Sequence, residues 1–169
     1  TQSPTWSSDG LSLAYGASRR GPPDIFLRHL ASGSERTVVS QPGTQIPRDL
    51  SPDGKLLAFE DFSPSRRVAH QIWLHPLVGD QASRPLSSAP ASQYSPRFSP
   101  DGSAIAFVSE ESGRPEVYVM PVDRQGSKVR VSPAGGNLPR WRSDGRELYY
   151  LARDGLVTAA DVRLSPQLE

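Results

Sequence analysis

The residues of this 169-residue chain with the clearest chemical potential are arginines that stand in short polar segments between apolar runs. A guanidinium group is planar and carries several N–H donors, so it suits carboxylates and phosphates. The candidates for an anion-binding surface are Arg19, Arg20, Arg48, Arg66, Arg67, Arg97, Arg114, Arg140 and Arg153. The opposing interpretation is that these arginines pair with nearby acidic residues and leave little net field. Those acidic residues are Glu60, Asp61, Glu110 and Glu111.

No residue pattern in the sequence indicates catalysis or a metal. GxSxG, HExxH and glycine-rich phosphate motifs are absent. The histidines, His29, His70 and His75, are scattered, and we do not expect them to converge as metal ligands. The acidic pairs at 60–61 and 110–111 could act as acid and base, but solvated loops are the simpler account. We therefore interpret the chain as non-catalytic, without a cofactor, and place any catalytic domain outside it.

Composition limits the classes of partner and compartment. Nineteen basic and eighteen acidic residues nearly cancel, which argues against a nucleic-acid partner. No apolar run approaches the roughly 18 residues of a membrane-spanning helix. The absence of cysteine excludes disulfides and fits a periplasm or a cytoplasm equally. Because the chain starts at Thr1 without an initiator methionine, we expect a piece of a longer polypeptide.

One turn pattern recurs four times, about every 45 residues, as SSDG, SPDG, SPDG and RSDG. Proline at the second position fixes φ, aspartate accepts backbone hydrogen bonds, and glycine takes the left-handed conformation that ends a hairpin turn. We therefore expect a positive φ at Gly54, Gly102 and Gly145. We assign the aspartate and glycine of each turn a structural role. These residues are Asp9, Gly10, Asp53, Gly54, Asp101, Gly102, Asp144 and Gly145.

Apolar residues flank each turn in a constant register. One large residue precedes it, and the five residues after it read LSLAY, KLLAF, SAIAF or RELYY, which alternate as a half-buried strand does. We expect Trp6, Leu50, Phe98 and Trp141 to occupy equivalent buried places. The same holds for Tyr15, Phe59, Phe107 and Tyr150.

A third strand is predicted in each repeat, reading DIFLRHL, QIWLHPL, EVYVMPV and, more weakly, LVTAADV. Consecutive apolar residues predict that these strands are covered on both faces. Fourth strands are expected at 35–39, 84–87 and 128–131, and the sequence ends before one in the last repeat.

Four short strands in a repeat of this length are typical of a propeller blade. The predicted fold is all-β, a β-propeller segment of about four blades of four antiparallel strands, the last blade incomplete. The blades fall approximately at 3–44, 45–92, 93–136 and 137–169 of one segment, which we expect to belong to a larger propeller or multidomain protein. Irregular hairpins of a β-sandwich are the alternative.

The third repeat, SPRFSPDGSAIAFVSEESGRPEVYVMPVD, resembles the WD40-like repeat of TolB-type bacterial β-propellers. The shared features are an aromatic-Ser-Pro-Asp-Gly hairpin, an aliphatic-Ala-Phe strand and an Ile/Val-Tyr-Val strand. The resemblance covers nearly the whole chain, although repeat one has Ser8 in place of proline and repeat two has one extra residue before Leu50. It implies a protein- or peptide-binding scaffold or sensor module of a larger bacterial protein, in the periplasm or another extracytoplasmic compartment. The alternative is an accessory or gating domain of a hydrolase such as a prolyl-oligopeptidase-type peptidase.

In such a propeller, the loops between second and third strands leave one rim, where the first strands also begin. We therefore expect the arginines named above to line the rim and channel mouth and to meet an anionic protein or peptide. We also expect self-association through the exposed edges of the terminal blades.

Overall fold

The chain is built of β-strands and turns throughout its described part. The computed structural model describes residues 2–19, 21–62, 68, 70–123 and 128–163. Arg20, Arg66 and Arg67 lie outside the described residues. Two compact units divide the chain, unit 1 at Thr1–Pro85 and unit 2 at Leu86–Glu169. No helix of the described part is long and apolar enough to cross a membrane.

Unit 1 contains two antiparallel sheets of four strands, each in sequence order. Sheet 1 consists of β1 (Gln2–Trp6), β2 (Ser12–Ala17), β3 (Asp24–His29) and β4 (Glu35–Val39). Sheet 2 consists of β5 (Thr44–Leu50), β6 (Leu56–Phe62), β7 (His70–Pro76) and β8 (Arg84–Pro85).

Unit 2 repeats this plan with one strand fewer among its described residues. Sheet 3 consists of β9 (Gln93–Phe98), β10 (Ala104–Ser109), β11 (Glu116–Pro121) and β12 (Val129–Arg130). Sheet 4 consists of β13 (Gly136–Trp141), β14 (Glu147–Ala152) and β15 (Val157–Asp161). The all-β expectation of four antiparallel sheets with an incomplete last one is confirmed.

The recurring turn joins the first and second strands of every sheet. Its glycines have φ of +69° at Gly10 and Gly54, +74° at Gly102 and +72° at Gly145, as the turn chemistry requires. In the third copy, the Gly102 N–H donates to the Ser99 carbonyl at 2.9 Å, and the Ser99 N–H donates to the Ala104 carbonyl at 2.8 Å. Asp101 Oδ1 accepts the Ser103 N–H at 3.0 Å, which closes the turn.

The serine that opens three of these turns has a role that sequence reasoning missed. Ser51 Oγ donates to Asp53 Oδ1 at 2.6 Å and accepts the Leu56 N–H at 2.9 Å. Ser7 and Ser99 repeat both hydrogen bonds. The fourth turn has Arg142 there instead, and its guanidinium lies 3.4 Å from Asp144 and 3.0 Å from Glu147.

Within each unit, the two sheets contribute apolar side chains to one buried cluster. In unit 1, Ala14 of sheet 1 joins one buried cluster with Leu57 and Phe59 of sheet 2. In unit 2, Ala106 of sheet 3 joins one with Leu148 and Tyr150 of sheet 4. Second-strand residues of both sheets therefore contribute to the packing between them.

The expected equivalence of the large residues is wrong in sheet 1 and incomplete in sheet 4. Leu50 and Phe98 are buried, but Trp6 is 57% exposed. In sheet 4, Trp141 is half-buried and its indole N–H donates to the Arg97 carbonyl of sheet 3 at 3.0 Å. Burial at this position thus requires a neighbouring sheet, and no described sheet covers Trp6. Tyr15 is half-buried for the same reason, whereas Phe59, Phe107 and Tyr150 are buried.

A register shift interrupts the first strand of every sheet. Ser3, Ser95 and Leu138, each directly before a proline, have φ of +46°, +56° and +53°. In sheet 2 the shift falls between Pro47 and Asp49, and Asp49 lies opposite Ala58 as Arg97 lies opposite Ala106 and Arg140 opposite Tyr149. Arg48 is therefore not equivalent to Arg97 and Arg140, although all three follow a proline.

Coverage of the third strands varies between sheets. β11 is buried at five successive positions, as predicted, whereas β3 and β7 keep half-buried residues. The weaker β15 has no buried residue, and Val157 is 75% exposed. Self-association through the terminal sheets stays a prediction.

Truncating Phe98 to alanine should lower the free energy of unfolding by about 3–5 kcal/mol, because a buried aromatic residue leaves a cavity. Truncating the exposed Trp6, which has the equivalent place in the sequence, should cost less than about 1 kcal/mol. Urea unfolding followed by far-ultraviolet circular dichroism measures both. Equal losses would contradict the difference in packing.

Replacing Ser51 by alanine should raise the pKa of the Asp53 carboxyl toward its ordinary value of about 3.9. The Ser51 hydroxyl is the largest cause that lowers this pKa, followed by the Lys55 N–H. A lowered pKa stabilises the fold above the ordinary value, and this contribution is lost as pH falls through the folded value. The variant should therefore lose less stability than the parent between about pH 5 and pH 3. Carboxyl-carbon NMR titration reports the pKa directly, and an unchanged value would refute the assigned role.

Candidate functional site

Arg19, the first predicted arginine, is held within sheet 1. Its guanidinium lies 2.6 Å from Glu35 Oε1 and 4.0 Å from the centroid of the Phe26 ring. The Tyr15 hydroxyl also donates to Glu35. These contacts neutralise Arg19 locally, although its partner is not one of the acidic residues named from the sequence.

Arg48 belongs to a buried ionic cluster in sheet 2. Glu60 is fully buried, and its Oε2 lies 2.5 Å from Arg48 Nη2 and 3.0 Å from His70 Nε2. Beside it, the buried Asp61 accepts a hydrogen bond from the Gln45 amide at 3.3 Å. Arg48 therefore pairs with Glu60, as the opposing interpretation held, and supports a buried carboxylate.

Arg97 and Arg140 lie at equivalent places on the first strands of unit 2. Arg97 is opposite Ala106 on β10, and Arg140 is opposite Tyr149 on β14. Arg97 is half-buried, whereas Arg140 is exposed and donates to the Pro139 carbonyl at 2.8 Å.

Arg114 and Arg153 are brought together at one pocket of unit 2, which we call the loop pocket. Its volume is about 690 Å³. Its walls come from the β10–β11 loop, the start of β13 and the β14–β15 turn. The residues that line it are Gly113, Arg114, Pro115, Gly135, Gly136, Asn137, Leu151, Ala152, Arg153 and Gly155.

The fully buried carboxylate of Glu116 organises one wall of the loop pocket. It accepts hydrogen bonds from Arg114 Nε at 2.8 Å, Ser132 Oγ at 2.6 Å and the Gly135 N–H at 3.0 Å. Burial would raise the pKa of Glu116, but the hydrogen bonds from Ser132, Arg114 and Gly135 outweigh it and hold the pKa below its ordinary value. Glu116 is thus ionised near neutral pH and fixes Arg114, whose Nη2 also donates to the Pro133 carbonyl at 2.9 Å.

Two glycines give the loop pocket its floor. A Cβ at Gly136 would lie 2.8 Å from Ser132 Cβ and 2.8 Å from Tyr150 Cδ2, so only glycine fits between them. Gly135 has φ of +101°, and a Cβ there would lie 3.4 Å from Arg153 Cβ. The Arg153 side chain therefore rests against a backbone without side chains.

The charges of the loop pocket are unbalanced. None of the described residues that line it is acidic. The charge of Arg114 is balanced by its ion pair with the buried Glu116. Arg153 is exposed and forms no ion pair with any residue in the described part of unit 2. The site can therefore attract an anion through Arg153.

The other candidates do not assemble into a site. Glu111 pairs with Lys128, and Glu110 accepts from the Tyr94 hydroxyl at 3.4 Å. His29 and His75 contact serine hydroxyls. Within the described ranges, no three His, Cys, Asp or Glu side chains are grouped as metal ligands.

Sequence reasoning missed Glu116 and Ser132, although both lie in the third repeat. Glu116 opens a third strand, where the sequence pattern shows only one polar residue before an apolar run. Its partners lie 16 and 19 residues further along the chain, so no short motif joins them. A glutamate directly before an otherwise apolar strand was the available signal.

Four antiparallel sheets of three or four strands, each opened by the same hairpin turn, define a β-propeller segment. The chain belongs to the TolB β-propeller domain family, whose model matches residues 1–166. It is 32% identical over 158 residues to an uncharacterized protein of Agrobacterium fabrum, covering 86% of this chain and 53% of that protein. It is 33% identical over 121 residues to the Tol-Pal system protein TolB of Bordetella pertussis, covering 72% of this chain and 27% of that protein.

Solved structures share the fold. TolB from Acinetobacter baumannii aligns with a TM-score of 0.74 at 23% identity, covering 96% of this chain and 44% of that one. The tricorn protease aligns with a TM-score of 0.67 at 13% identity, covering 94% of this chain and 21% of that one. At these identities the likeness concerns the fold alone. The chain spans between about a quarter and a half of the length of its curated relatives.

Replacing Glu116 by glutamine should lower the free energy of unfolding by about 1–3 kcal/mol, because charged hydrogen bonds in a buried place are lost. Glu111→Gln is the control: its carboxylate forms a partly exposed pair with Lys128, so the loss should stay below about 1 kcal/mol. Denaturant unfolding of both variants gives the two values. A control that loses as much as Glu116→Gln would show that Glu116 does not organise the loop pocket.

Proposed function

We infer that this chain is a non-catalytic TolB-type propeller domain that binds a protein or peptide, as a scaffold or sensor module of a larger bacterial protein. Family membership and the loop pocket support this function. The TolB relatives favour an extracytoplasmic compartment for the module. The observation that carries the proposal is a pocket whose described lining residues include a free cation and no reactive group.

The chemistry of the loop pocket suits recognition. None of the described residues lining it is a serine, cysteine, histidine, aspartate, glutamate or lysine, so it offers neither a nucleophile nor a general base. Catalysis would need such groups within hydrogen-bonding reach of a substrate. What remains is one free guanidinium, an amide side chain and apolar surface.

The shape of the loop pocket fits an extended segment of a partner. Gly113 and Gly155 are exposed and have no side chain, so a second chain can approach their backbone closely. Leu151, which is 37% exposed, adds an apolar contact at one side. Peptide-binding sites combine these elements, an apolar surface and a few polar groups that set the orientation.

The anion-binding surface that we propose is smaller than the one named from the sequence. Arg19 and Arg48 are engaged by Glu35 and Glu60 within unit 1. We therefore assign recognition to the loop pocket of unit 2. An accessory role in a hydrolase rests on fold likeness alone, and no feature of this pocket favours it.

Peptides selected from a random display library should bind the chain at the loop pocket. In an NMR titration, the amide shifts should change mainly at 113–115, 135–137 and 151–155. Leu151→Lys should weaken binding at least about fivefold, since it introduces a charge into the apolar contact.

The matched control is Leu11→Lys, which changes an exposed leucine of unit 1 outside the pocket. It should leave the affinity unchanged. Shifts confined to the hairpin turns around Asp101 and Asp144, or a library without any binder, would refute the proposed function.

A further inference from the structure

The charged residues of the loop pocket indicate the chemistry of its ligand. Arg153 provides its only uncompensated charge among the described lining residues, because Glu116 already accepts a hydrogen bond from Arg114. A single guanidinium with one positive charge matches a carboxylate, which it can bind through two parallel N–H donors. A phosphate dianion carries a second negative charge, which no further uncompensated cation among the described lining residues would balance.

The backbone N–H groups at the pocket are engaged within the chain. Gly113 donates to the Glu110 carbonyl, Gly136 to the Pro115 carbonyl and Gly155 to the Ala152 carbonyl, each at 3.0 Å. Gly135 donates to Glu116, also at 3.0 Å. A chain-terminal carboxylate is usually captured by free N–H groups of a backbone nest, and these four glycines offer none. This favours a side-chain carboxylate as the anion that reaches Arg153.

Apolar surface continues from the pocket along sheet 4. Leu151 is paired with Val157 across β14 and β15, so the two side chains lie on the same face. Leu151 is 37% and Val157 is 75% exposed. A partner residue next to the acidic one therefore meets aliphatic surface, which favours a leucine, isoleucine or valine beside the carboxylate.

We propose that the loop pocket binds the side-chain carboxylate of an aspartate or glutamate within an extended partner segment, paired with Arg153 and flanked by an aliphatic residue on Leu151. This inference rests on the proposed function, namely that the pocket binds peptides. Arg114 and Glu116 act as positioning residues, because they shape the wall opposite Arg153 through the 2.8 Å contact between them.

The test uses three synthetic peptides that are acetylated at the N-terminus, of which the first two are also amidated and carry no terminal charge. One contains Leu-Glu-Leu, the second contains Leu-Gln-Leu, and the third contains Leu-Gln-Leu with a free C-terminal carboxylate. Fluorescence anisotropy gives the affinities. The Leu-Glu-Leu peptide should bind about tenfold more tightly than its glutamine counterpart, and raising the salt concentration from about 0.05 to 0.5 M should reduce this preference.

Arg153→Gln should abolish the preference for glutamate, and Arg153→Lys should restore part of it. Arg146→Gln is the matched control, since Arg146 is an exposed arginine at the opposite end of the same hairpin. It should leave the preference intact. Circular dichroism of the exposed-site variants should be unchanged.

The outcomes separate this inference from the proposed function. Equal binding of the glutamate and glutamine peptides, with NMR shifts still at the pocket, would overturn the carboxylate and leave peptide binding in place. Tight binding of the third peptide alone, lost in Arg153→Gln, would overturn the side-chain source in favour of a chain terminus. If none of the peptides shifts the pocket amides, the inference and the proposed function both fail.

Discussion

The fold depends on one packing constraint, that a sheet with two apolar faces must bury both against neighbours. Each unit buries one face of each of its two sheets in a shared apolar cluster, which joins Ala14 with Phe59 in unit 1 and Ala106 with Tyr150 in unit 2. Side chains at these contacts are close-packed, so the alanines cannot be enlarged without moving a sheet. Trp6 shows the converse, because a bulky residue without a neighbouring sheet stays exposed.

This constraint leaves the ends of the strands free to carry function. Side chains between the sheets are constrained by packing. The loops and strand ends are not, so their residues can vary in chemistry. In unit 2, these ends place Arg114 and Arg153 at one pocket, with glycines between them. The buried Glu116 links the two regions, because it stands at the start of an apolar strand and still holds the pocket wall.

The arginines of the predicted rim illustrate how tertiary contacts divide residues of one type. Arg19, Arg48 and Arg114 each pair with a glutamate carboxylate. Arg153 has no such partner among the described residues. A guanidinium neutralised by a neighbour contributes little to an external field, while an isolated one next to apolar surface can select an anion. We therefore expect fewer arginines to take part in recognition than the sequence analysis named.

The sequence by itself determined the repeat, the turns and most strands, since these depend on contacts a few residues apart. The turn at Ser99 to Gly102 forms from its own side chains, and the apolar residues around it predict the flanking strands. The expected half-buried alternation is wrong for β10, which is buried at all six positions because both of its faces are covered. Only the tertiary structure decided that Trp6 is exposed, that Asp49 rather than Arg48 corresponds to Arg97, and that Glu116 reaches Ser132 and Gly135. Such features depend on contacts between segments that are separated in the sequence, and local residue spacing does not specify those contacts.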